Sequence, residues 1–408
     1  MLKGEVLAMI MAGGKGQRLD PLTLERSKPS VPFGGKYRII DFVLSNFVNS
    51  GIYSIYVLVQ YKSQSLIEHI RSGWKRQGML SKHFITVVPP QMRKDSLKQW
   101  YRGTADSIYQ NINLILDFSP SLVAVFGSDH VYRMNIRQII DFHVKNKADV
   151  TISCMPKLRQ EASSFGIVEV NPSCRVTGFK EKPSNPKAIP GNKDYSYVSM
   201  GNYIFNTKVL LEVLEKDTHS QTTHDFGRDV MPPLIKSKKV FAYNFSANNI
   251  PGIKKYEEQS YWRDVGTIDE FFEAHMDLLG QRPLLDLSNS SWPVYGSTVH
   301  CPPAKINECL ISNSLISEGC IIQKAKIENS VLGRAVVIEE GAEIKDSIIM
   351  DFTHIRKKTK IRKAIIDRFN ILEESSLVGY NADEDRKKYF VSKNGVTVLK
   401  RGPRQVFY

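Results

Sequence analysis

The chain has 408 residues, of which 42% are hydrophobic, and its formal net charge at pH 7 is +14. That length exceeds one ordinary core, the apolar fraction excludes a disordered chain, and no apolar run reaches the roughly 18 residues of a membrane span. The positive charge indicates a polyanionic partner, a phosphorylated substrate or only a solvated surface. We therefore expect two domains and no membrane partner.

The distribution of basic residues and cysteines narrows the class of protein further. The basic residues are scattered, without a zinc-finger, RNP or heptad-plus-basic pattern, so we expect no nucleic-acid partner. The five cysteines are odd in number and form no CxxC pair. This usage predicts a reduced, cytoplasmic protein without structural zinc.

The first predicted element is a short buried strand, residues 6–11, which ends in the glycine-rich segment GGKGQR. Gly13 and Gly14 carry no Cβ, so a ligand can approach the backbone there, and free N–H groups in such a loop suit phosphate oxygens. The cations that follow and can clamp a polyphosphate are Arg18, Arg26 and Lys28. The segment matches neither a Walker A loop nor the dinucleotide fingerprint, and a plain strand-to-helix turn remains the alternative.

Strand-like and helical stretches alternate from residue 5 to about residue 280. The strands predicted here include residues 54–59, 122–126, 149–155 and 203–205, and the helices include residues 136–146 and 208–215. This alternation predicts an α/β domain of the Rossmann-like type, with a mostly parallel sheet and helices on both faces. Ligands of such sheets bind beyond the carboxyl ends of the strands.

Two carboxylates and one charged turn are candidates for chemistry in this domain. Asp129 directly follows a predicted strand, and Asp264 lies in the string YWRDVGT. Each can bind a divalent cation or can serve only as a helix cap or turn residue. In the string GFKEKP, Lys182 can contact a phosphate and Glu181 can accept hydrogen bonds from sugar hydroxyls, with an exposed charged turn as the alternative.

The composition changes near residue 284. Residues 284–303 are rich in serine and proline and predict an ordered linker, in which Trp292 is the anchor. Beyond the linker, apolar residues recur at steps of five or six, at Ile316, Ile322, Ile327, Leu332, Ile338, Ile344, Ile349, Ile355, Ile361, Ile366, Leu372 and Val378. This period predicts a hexapeptide-repeat parallel β-helix, and an irregular antiparallel sheet is the alternative.

These observations predict a domain organisation. We expect a catalytic domain over residues 1–283, a linker over 284–303 and a left-handed β-helix domain over 304–408. Within the last domain, the basic cluster at residues 356–363 is either a solvated face or an anion site.

Long strings near the N-terminus resemble one enzyme family. The strings GGxGxRLxPLT and RxKPxVPxGGKYRIIDFxLSN, at residues 13–23 and 26–46, resemble the sugar-1-phosphate nucleotidyltransferases. RIIDF and the string WYRGTAD at residues 100–106 resemble the ADP-glucose pyrophosphorylase branch, and the resemblance extends over essentially the whole chain. It implies the Mg²⁺-dependent conversion of ATP and α-D-glucose 1-phosphate into ADP-glucose and pyrophosphate, an allosterically regulated step of glycogen biosynthesis.

The resemblance also implies roles for individual residues. It assigns ATP binding to Gly13, Gly14, Arg18 and Lys28, and the metal to Asp129 and Asp264. It assigns glucose 1-phosphate to Tyr101, Gly166, Glu181, Lys182 and Ser199. The catalytic set is then Arg18, Lys28, Asp129 and Lys182. A phosphate oxygen needs no general base at neutral pH, so His130 and His224 are interpreted as structural or outer-sphere residues.

Regulation and assembly follow from the same resemblance. Gln60 and Trp100 match positions that couple the regulatory and substrate sites. Enteric members have a lysine for fructose 1,6-bisphosphate where this chain has Glu25, so the identity of the effector stays open. Arg26 and Arg38 are available for an anionic metabolite, and the family is usually homotetrameric.

Two other functions fit the same fold. A catalytically silent regulatory subunit or scaffold tends to lose its metal and phosphate ligands, whereas this chain keeps them. A UDP-, dTDP- or GDP-sugar pyrophosphorylase shares the glycine-rich segment, but RIIDF and WYRGTAD favour the ADP-glucose branch.

Overall fold

The structure is a computed structural model that describes residues 5–74, 83–90, 100–296 and 301–404. The strands of the N-terminal part are β1 (Val6–Ala12), β2 (Pro32–Phe33), β3 (Tyr37–Arg38), β4 (Ser54–Val59), β5 (Phe84–Val88), β6 (Leu122–Gly127), β7 (His130–Tyr132), β8 (Val150–Leu158), β9 (Gly166–Val170), β10 (Val176–Glu181), β11 (Tyr195–Asn206), β12 (Val240–Asn244) and β13 (Trp262–Asp264). Its helices are α1 (Ile39–Asn49), α2 (Gln64–Gly73), α3 (Thr104–Tyr109), α4 (Ile112–Phe118), α5 (Ile136–Lys145), α6 (Arg159–Ala162), α7 (Thr207–Thr218), α8 (Met231–Ser237) and α9 (Ile268–Met276).

One large sheet organises this part of the chain. Its path is β10-β9-β11-β6-β1-β4-β5, and β8 joins it at β11 and pairs in turn with β12. The central strands β6, β1, β4 and β5 are parallel, and within the described ranges β10 and β11 run against the other strands of this sheet. The mostly parallel α/β sheet predicted from the sequence is confirmed.

Helices cover both faces of the sheet, because alternate side chains of β1 lie in two different hydrophobic cores. Ala8 and Ile10 point into a core shared with α1 and α5. Leu7 and Met9 point into a second core shared with α3 and α7. Because successive strand residues face opposite sides, a strand that is apolar throughout belongs between two helical layers.

Strand β11 differs from its prediction, which covered only residues 203–205. The observed strand is Tyr195–Asn206, and its earlier part contains the fully buried polar residues Ser196 and Asn202. Ser196 donates a hydrogen bond to the carbonyl of Lys187, and Asn202 donates one to the hydroxyl of Tyr132. These hydrogen bonds allow polar residues to be buried within the strand. Because such residues interrupt the apolar pattern, hydrophobic periodicity predicted only the end of the strand.

The C-terminal part is a parallel β-helix, as the repeat predicts. Its strands are β14 (Lys305–Asn307), β15 (Leu310–Ser312), β16 (Leu315–Ile316), β17 (Ile321–Gln323), β18 (Lys326–Glu328), β19 (Val331–Leu332), β20 (Val337–Ile338), β21 (Glu343–Lys345), β22 (Ile348–Ile349), β23 (His354–Ile355), β24 (Lys360–Arg362), β25 (Ala364–Ile366), β26 (Ile371–Leu372), β27 (Leu377–Val378), β28 (Phe390–Val391) and β29 (Thr397–Leu399), with α10 (Ala382–Lys388) between β27 and β28. They form three faces, which begin β14-β17-β20, β15-β18-β21 and β16-β19-β22. The repeat residues from Ile322 to Val378 are buried in one core, and Ile316 packs against it partly buried.

The corners of the β-helix are stacked in register. Asn313, Asn329 and Asp346 occupy three of these corners and have positive φ angles of 45°, 48° and 47°. Asn313 donates to Asn329 and Asn329 donates to Asp346, both at 2.7 Å. Asparagine and aspartate tolerate this left-handed conformation better than most other residues, so they suit these three corners.

The β-helix core supports a first prediction. We expect Ile361→Ala to lower the free energy of unfolding by about 2–5 kcal/mol, because the side chain is fully buried and leaves a cavity. Leu377→Ala is the matched control, since Leu377 lies on the next strand of the same face with 61% of its surface exposed. It is expected to change stability by less than about 0.5 kcal/mol in the same urea titration. Equal losses in the two variants would contradict the observed burial.

The two parts of the chain share a third hydrophobic core. It joins Phe33 and Phe271 of the N-terminal part to Ile348, Ile365 and Val398 of the β-helix. The linker lies along α1, where Asn49 donates to the carbonyl of Pro293 and the N–H of Tyr295 donates to the hydroxyl of Ser45. Trp292 is buried there as predicted, while linker residues 297–300 lie outside the described part of the chain.

A buried histidine in this core supports a second prediction. His275 donates through Nδ1 to the carbonyl of Phe271 and accepts through Nε2 from the N–H of Gly34, so the ring is held neutral. Burial lowers the pKa of His275 to about 4. The unfolded chain, with a pKa of about 6.5, binds more protons between these values, so stability falls as pH drops from about 6.5 to 4.

Through this residue, lowering the pH from about 6.5 to 4 is expected to decrease the free energy of unfolding by at most about 3 kcal/mol. Chemical denaturation at pH 7 and pH 4.5 of the native chain and of His275→Gln measures it. We expect a smaller difference between the two pH values in the variant, because glutamine does not titrate. An identical pH difference in both proteins would show that His275 is not held neutral.

Candidate active site

A cavity of about 890 Å³ lies beyond the carboxyl ends of β1 and β6. The site residues from the sequence analysis that line it are Gly13, Gly14, Arg18, Lys28, Gln60, Tyr101, Asp129, Glu181 and Lys182. These residues come from distant segments of the chain, and the parallel strands bring their ends to one edge of the sheet. The remaining predicted residues lie behind this lining or outside it.

In the wall of the cavity an ammonium group lies between two carboxylates. Lys28 Nζ lies 3.1 Å from Asp129 Oδ2 and 2.9 Å from Asp264 Oδ1. Lys28 begins a short 3₁₀ turn, Asp129 lies between β6 and β7, and Asp264 ends β13. Arg18 approaches the same cluster from solvent, with Nη2 3.8 Å from Asp264 Oδ2.

The charges in this cluster stabilise one another. Burial lowers the pKa of Lys28, but the carboxylates of Asp129 and Asp264 outweigh it and raise the pKa above the usual 10.5. Desolvation raises the pKa of Asp129, but the Lys28 ammonium and the His130 imidazole outweigh it and hold this pKa well below its usual range. Lys28 and Asp129 are therefore both charged at neutral pH.

The same cluster offers ligand atoms for a metal ion. Among the described residues, Asp129, His130 and Asp264 each place one potential ligand atom within 4.8 Å of the others. Two carboxylates and an imidazole at this spacing suit one divalent cation. The residues present therefore fit a metal ion held by Asp129 and Asp264.

Glu181 and Lys182 line the same cavity. Lys182 has a positive φ of 48°, and its Nζ lies 3.7 Å from Glu181 Oε1, with 62% of the side chain exposed. Gly166 pairs with Glu181 across β9 and β10, and a Cβ at Gly166 would lie 2.9 Å from Glu181 Oε2. Ser199 is outside the lining, and its hydroxyl accepts a hydrogen bond from the N–H of Gly201, which lines the cavity.

Gln60 links the glycine-rich segment to the Tyr101 segment. It donates from Nε2 to the carbonyl of Tyr101 at 3.4 Å, and its Cβ would lie 3.3 Å from a Cβ at Gly13. Trp100 is 55% exposed and stacks on Tyr61, with ring centroids 5.3 Å apart. Tyr61 lines the cavity, so Trp100 contacts a residue of the cavity wall through this stack.

Arg26 and Arg38 lie away from the cavity, where the N-terminal part meets the β-helix. Arg26 Nη2 pairs with Asp367 Oδ2 at 2.7 Å, and only 3% of its side chain is exposed. Arg38 donates to the hydroxyl and the carbonyl of Ser65. Burial and the nearby cations Arg368 and Arg26 lower the pKa of Arg38 to about 9.

The basic cluster at residues 356–363 pairs largely with its own β-helix. Arg356 contacts Glu373, and Lys360 Nζ lies 3.1 Å from Glu343 Oε1. Lys363 donates to the carbonyl of Asn394. These pairs connect neighbouring coils, which favours the solvated face over the anion site.

The sequence analysis missed several residues of the cavity. Tyr61, Asp225 and Arg228 line it but were not selected. Asp225 caps the turn that follows it by accepting from the N–H groups of Gly227 and Arg228, and its second oxygen accepts from the hydroxyl of Thr104. The sequence analysis considered His224 but not its neighbour Asp225. His224 is buried in a pair with Asp217, whereas Asp225 lines the cavity.

Comparison with known proteins places this site in a family. Residues 7–281 match the nucleotidyl transferase family, and residues 302–399 match the GlmU-like C-terminal hexapeptide family. The chain belongs to the nucleotidyl transferase family. Both parts of this nucleotidyltransferase therefore have a family assignment that agrees with the observed sheet and β-helix.

Curated relatives match nearly the full length of this nucleotidyltransferase. A protein of Thermodesulfovibrio yellowstonii is 51% identical over 98% of this chain and 97% of its own length, and it is named glucose-1-phosphate adenylyltransferase. Relatives of the same name in Aliivibrio fischeri and Deinococcus radiodurans are 45% and 43% identical, again over 98% of this chain. The resemblance to the ADP-glucose pyrophosphorylase branch is confirmed, and the family points to dependence on a divalent metal.

Among the residues that the structure describes, none of the helices combines the length and the apolar character that crossing a bilayer requires.

Proposed function

We propose that this chain is a glucose-1-phosphate adenylyltransferase, which converts ATP and α-D-glucose 1-phosphate into ADP-glucose and pyrophosphate. The observation that carries this proposal is the Lys28 ammonium between Asp129 and Asp264, beside a glycine-rich segment at the end of β1. Close backbone approach, fixed cations and paired carboxylates are what a reaction between two phosphate esters needs. The names of the curated relatives support the same activity.

The proposed reaction is an in-line substitution at the α-phosphorus of ATP. A phosphate oxygen of glucose 1-phosphate forms the new bond to phosphorus, and the bond to the bridging oxygen breaks as pyrophosphate leaves. The attacking oxygen is already ionised at neutral pH, so no side chain has to remove a proton. Catalysis then depends on orienting the two phosphates and stabilising their charge.

This chain's residues divide that work between the two substrates. Gly13 and Gly14 let the nucleotide approach the backbone, and Arg18 and Lys28 supply positive charge for its phosphates. Lys182 binds the phosphate of glucose 1-phosphate. The residues that hold the sugar itself are Tyr101, Gly166, Glu181 and Ser199.

We also propose Mg²⁺ as the metal of this site, held by Asp129 and Asp264. Their hard oxygen ligands suit Mg²⁺, which binds through one or two carboxylates together with substrate phosphates and water. When bound, Mg²⁺ supplies charge neutralisation for the polyphosphate.

Release of pyrophosphate tests the proposed activity. The assay supplies Mg²⁺ and glucose 1-phosphate with ATP, UTP, dTTP or GTP in turn. We expect turnover with ATP and little with the other nucleotides. Preference for another nucleotide would assign the chain to a sister activity on the same fold, and no turnover with any of them, even with phosphorylated sugars and pyruvate added as effectors, would support a silent regulatory subunit.

We propose further that the arginine cluster around Arg26 binds an anionic effector. Two nitrogens of Arg26, Nε and Nη1, have no hydrogen-bond partner although they are buried, and Arg38 lies among the same cations. A cleft of about 80 Å³ opens beside Arg26, Asp367 and Arg401. Unsatisfied guanidinium donors next to a cleft favour a bound anion, and Gln60 and Trp100 are then the residues that couple it to the active site.

We also propose a homotetramer in the cytoplasm. The β-helix exposes large apolar side chains, with Leu310 68% and Ile306 48% exposed on its first coil, and a second copy can cover them. All five cysteines are free thiols, which supports a reducing compartment. Light scattering after gel filtration tests the assembly, and a mass of one chain would contradict it.

A further inference from the structure

His130 is the residue of the central cluster that the proposed mechanism does not use. It begins β7, and β7 pairs with β13 in an antiparallel ribbon that aligns His130 with Asp264. Residues directly opposite each other in such a pair direct their side chains to the same face. Asp129 immediately precedes His130, so the ribbon gathers all three side chains at one place.

The distances around the imidazole fit a shared ion better than a hydrogen bond. His130 Nε2 lies 3.7 Å from Asp129 Oδ1 and 3.8 Å from Asp264 Oδ1. Both separations exceed hydrogen-bond length. Two ligand atoms that are each about 2.1 Å from one ion lie at most about 4.2 Å apart, so these separations allow one ion to contact both members of each pair.

The imidazole ring is also held in position. It packs edge-on against Trp262, with ring centroids 5.0 Å apart, and Trp262 is 1% exposed. Only 16% of the His130 side chain is exposed. A ring fixed by a buried indole, with one nitrogen directed at two carboxylates, is preorganised as a ligand.

Lys28 and His130 approach Asp129 through different oxygens. Lys28 Nζ lies 3.1 Å from Oδ2 of Asp129, whereas His130 Nε2 faces Oδ1. A cation beside Oδ1 therefore need not take the place that the ammonium occupies at this carboxylate. At Asp264 both groups approach Oδ1, Lys28 Nζ at 2.9 Å and His130 Nε2 at 3.8 Å, so an ion bound there takes the place of the ammonium at Asp264 while Lys28 stays bound to Asp129.

We propose that His130 Nε2 is a third protein ligand of the divalent metal in this site. This inference rests on the proposed function, and it replaces the outer-sphere role expected from the sequence. A nitrogen ligand favours Mn²⁺ and Co²⁺ over Mg²⁺ relative to a site made of oxygen alone, because imidazole is a softer ligand than carboxylate. His130 thus tunes which metal the enzyme prefers.

Electron paramagnetic resonance of bound Mn²⁺ tests this assignment. The full-length chain is loaded with Mn²⁺ and α,β-methylene-ATP, once with natural histidine and once with ¹⁵N-labelled histidine. We expect a ¹⁴N coupling to Mn²⁺ that becomes a ¹⁵N coupling on labelling. Labelling histidine alone separates this signal from the nitrogens of the nucleotide.

Two variants identify which histidine produces the coupling to Mn²⁺. His130→Asn is expected to remove it and to weaken Mn²⁺ binding about tenfold or more by calorimetry, with a smaller loss for Mg²⁺. His219→Asn is the matched control, because His219 is exposed and pairs only with Glu215 on α7, and the coupling should persist. Should His130→Asn not fold, the labelled native chain still decides the matter.

The outcomes separate this inference from the proposed function. Bound Mn²⁺ without a histidine coupling overturns the ligand assignment, as does a coupling that survives in His130→Asn, and so does failure of Mn²⁺ to bind. Pyrophosphate release by the same preparation reports the adenylyltransferase activity independently. An inactive preparation that still shows the histidine coupling would overturn the activity and keep the ligand.

Discussion

Asp129→Asn is expected to lower the rate of ADP-glucose synthesis by roughly 10³–10⁴-fold. Asparagine has the same shape but no charge, so the site loses one of the two carboxylates proposed to hold the metal. It also loses one of the two partners of Lys28, whose pKa falls as a result. Initial rates of pyrophosphate release at saturating substrates, together with the affinity for Mn²⁺ from calorimetry, measure the effect.

A second aspartate serves as the control for this variant. Asp141 is exposed on α5 and does not line the cavity, and Asp141→Asn should keep the native rate within about twofold. Both variants should unfold at a temperature close to that of the native chain. A variant at Asp129 with nearly native turnover would exclude this carboxylate from the metal site.

Lys28→Met is expected to reduce turnover by roughly 10²–10⁴-fold, for the opposite electrostatic reason. The methionine fills the volume of the aliphatic stem but leaves Asp129 and Asp264 without the ammonium between them. The two carboxylates then have no competing internal cation, so the affinity for Mn²⁺ should be retained or rise. Rates and metal affinity are measured as for Asp129→Asn, and Lys208→Met on the exposed surface of α7 is the control.

The contrast between the two variants separates phosphate binding from metal binding. Loss of both rate and metal affinity is expected at Asp129, whereas loss of rate alone is expected at Lys28. Because the pKa of Lys28 is raised, its ammonium stays charged below about pH 10, and its ion pairs lose their contribution to stability only as the pH rises above that value. A parallel loss of Mn²⁺ affinity in Lys28→Met would show that the lysine supports the metal instead of the substrate.

Local pattern was enough to predict the elements and the edge of the sheet at which the site lies. The apolar strand that ends in Gly13 and Gly14 and the one that ends before Asp129 are short, continuous signals, and parallel strands bring such ends together. The β-helix was predicted because twelve apolar residues recur at eleven successive steps of five or six residues, and each coil imposes the same requirement on its neighbour. Both kinds of signal depend on residues that are close in sequence.

Pairings between distant segments were not predictable in this way. Lys28 was selected as a phosphate clamp, but its place between carboxylates 101 and 236 residues away follows only from the tertiary fold, which brings its turn beside Asp129 and Asp264. Arg26 was selected as a possible effector ligand, and its buried pairing with Asp367 joins two residues that lie 341 positions apart. Neither partner can be inferred from the sequence around the cation, since a single sequence records no contact between them.

The sequence by itself therefore determined the fold class, the repeat and several of the residues that line the cavity. Each of these follows from periodicity, from glycine's missing Cβ or from a motif long enough to resemble one family. The tertiary structure decided which charges meet, which arginines are buried, and that His130 faces the same two carboxylates as Lys28. Electrostatic interactions act through space over a few ångströms, so their pattern exists only once the chain has folded.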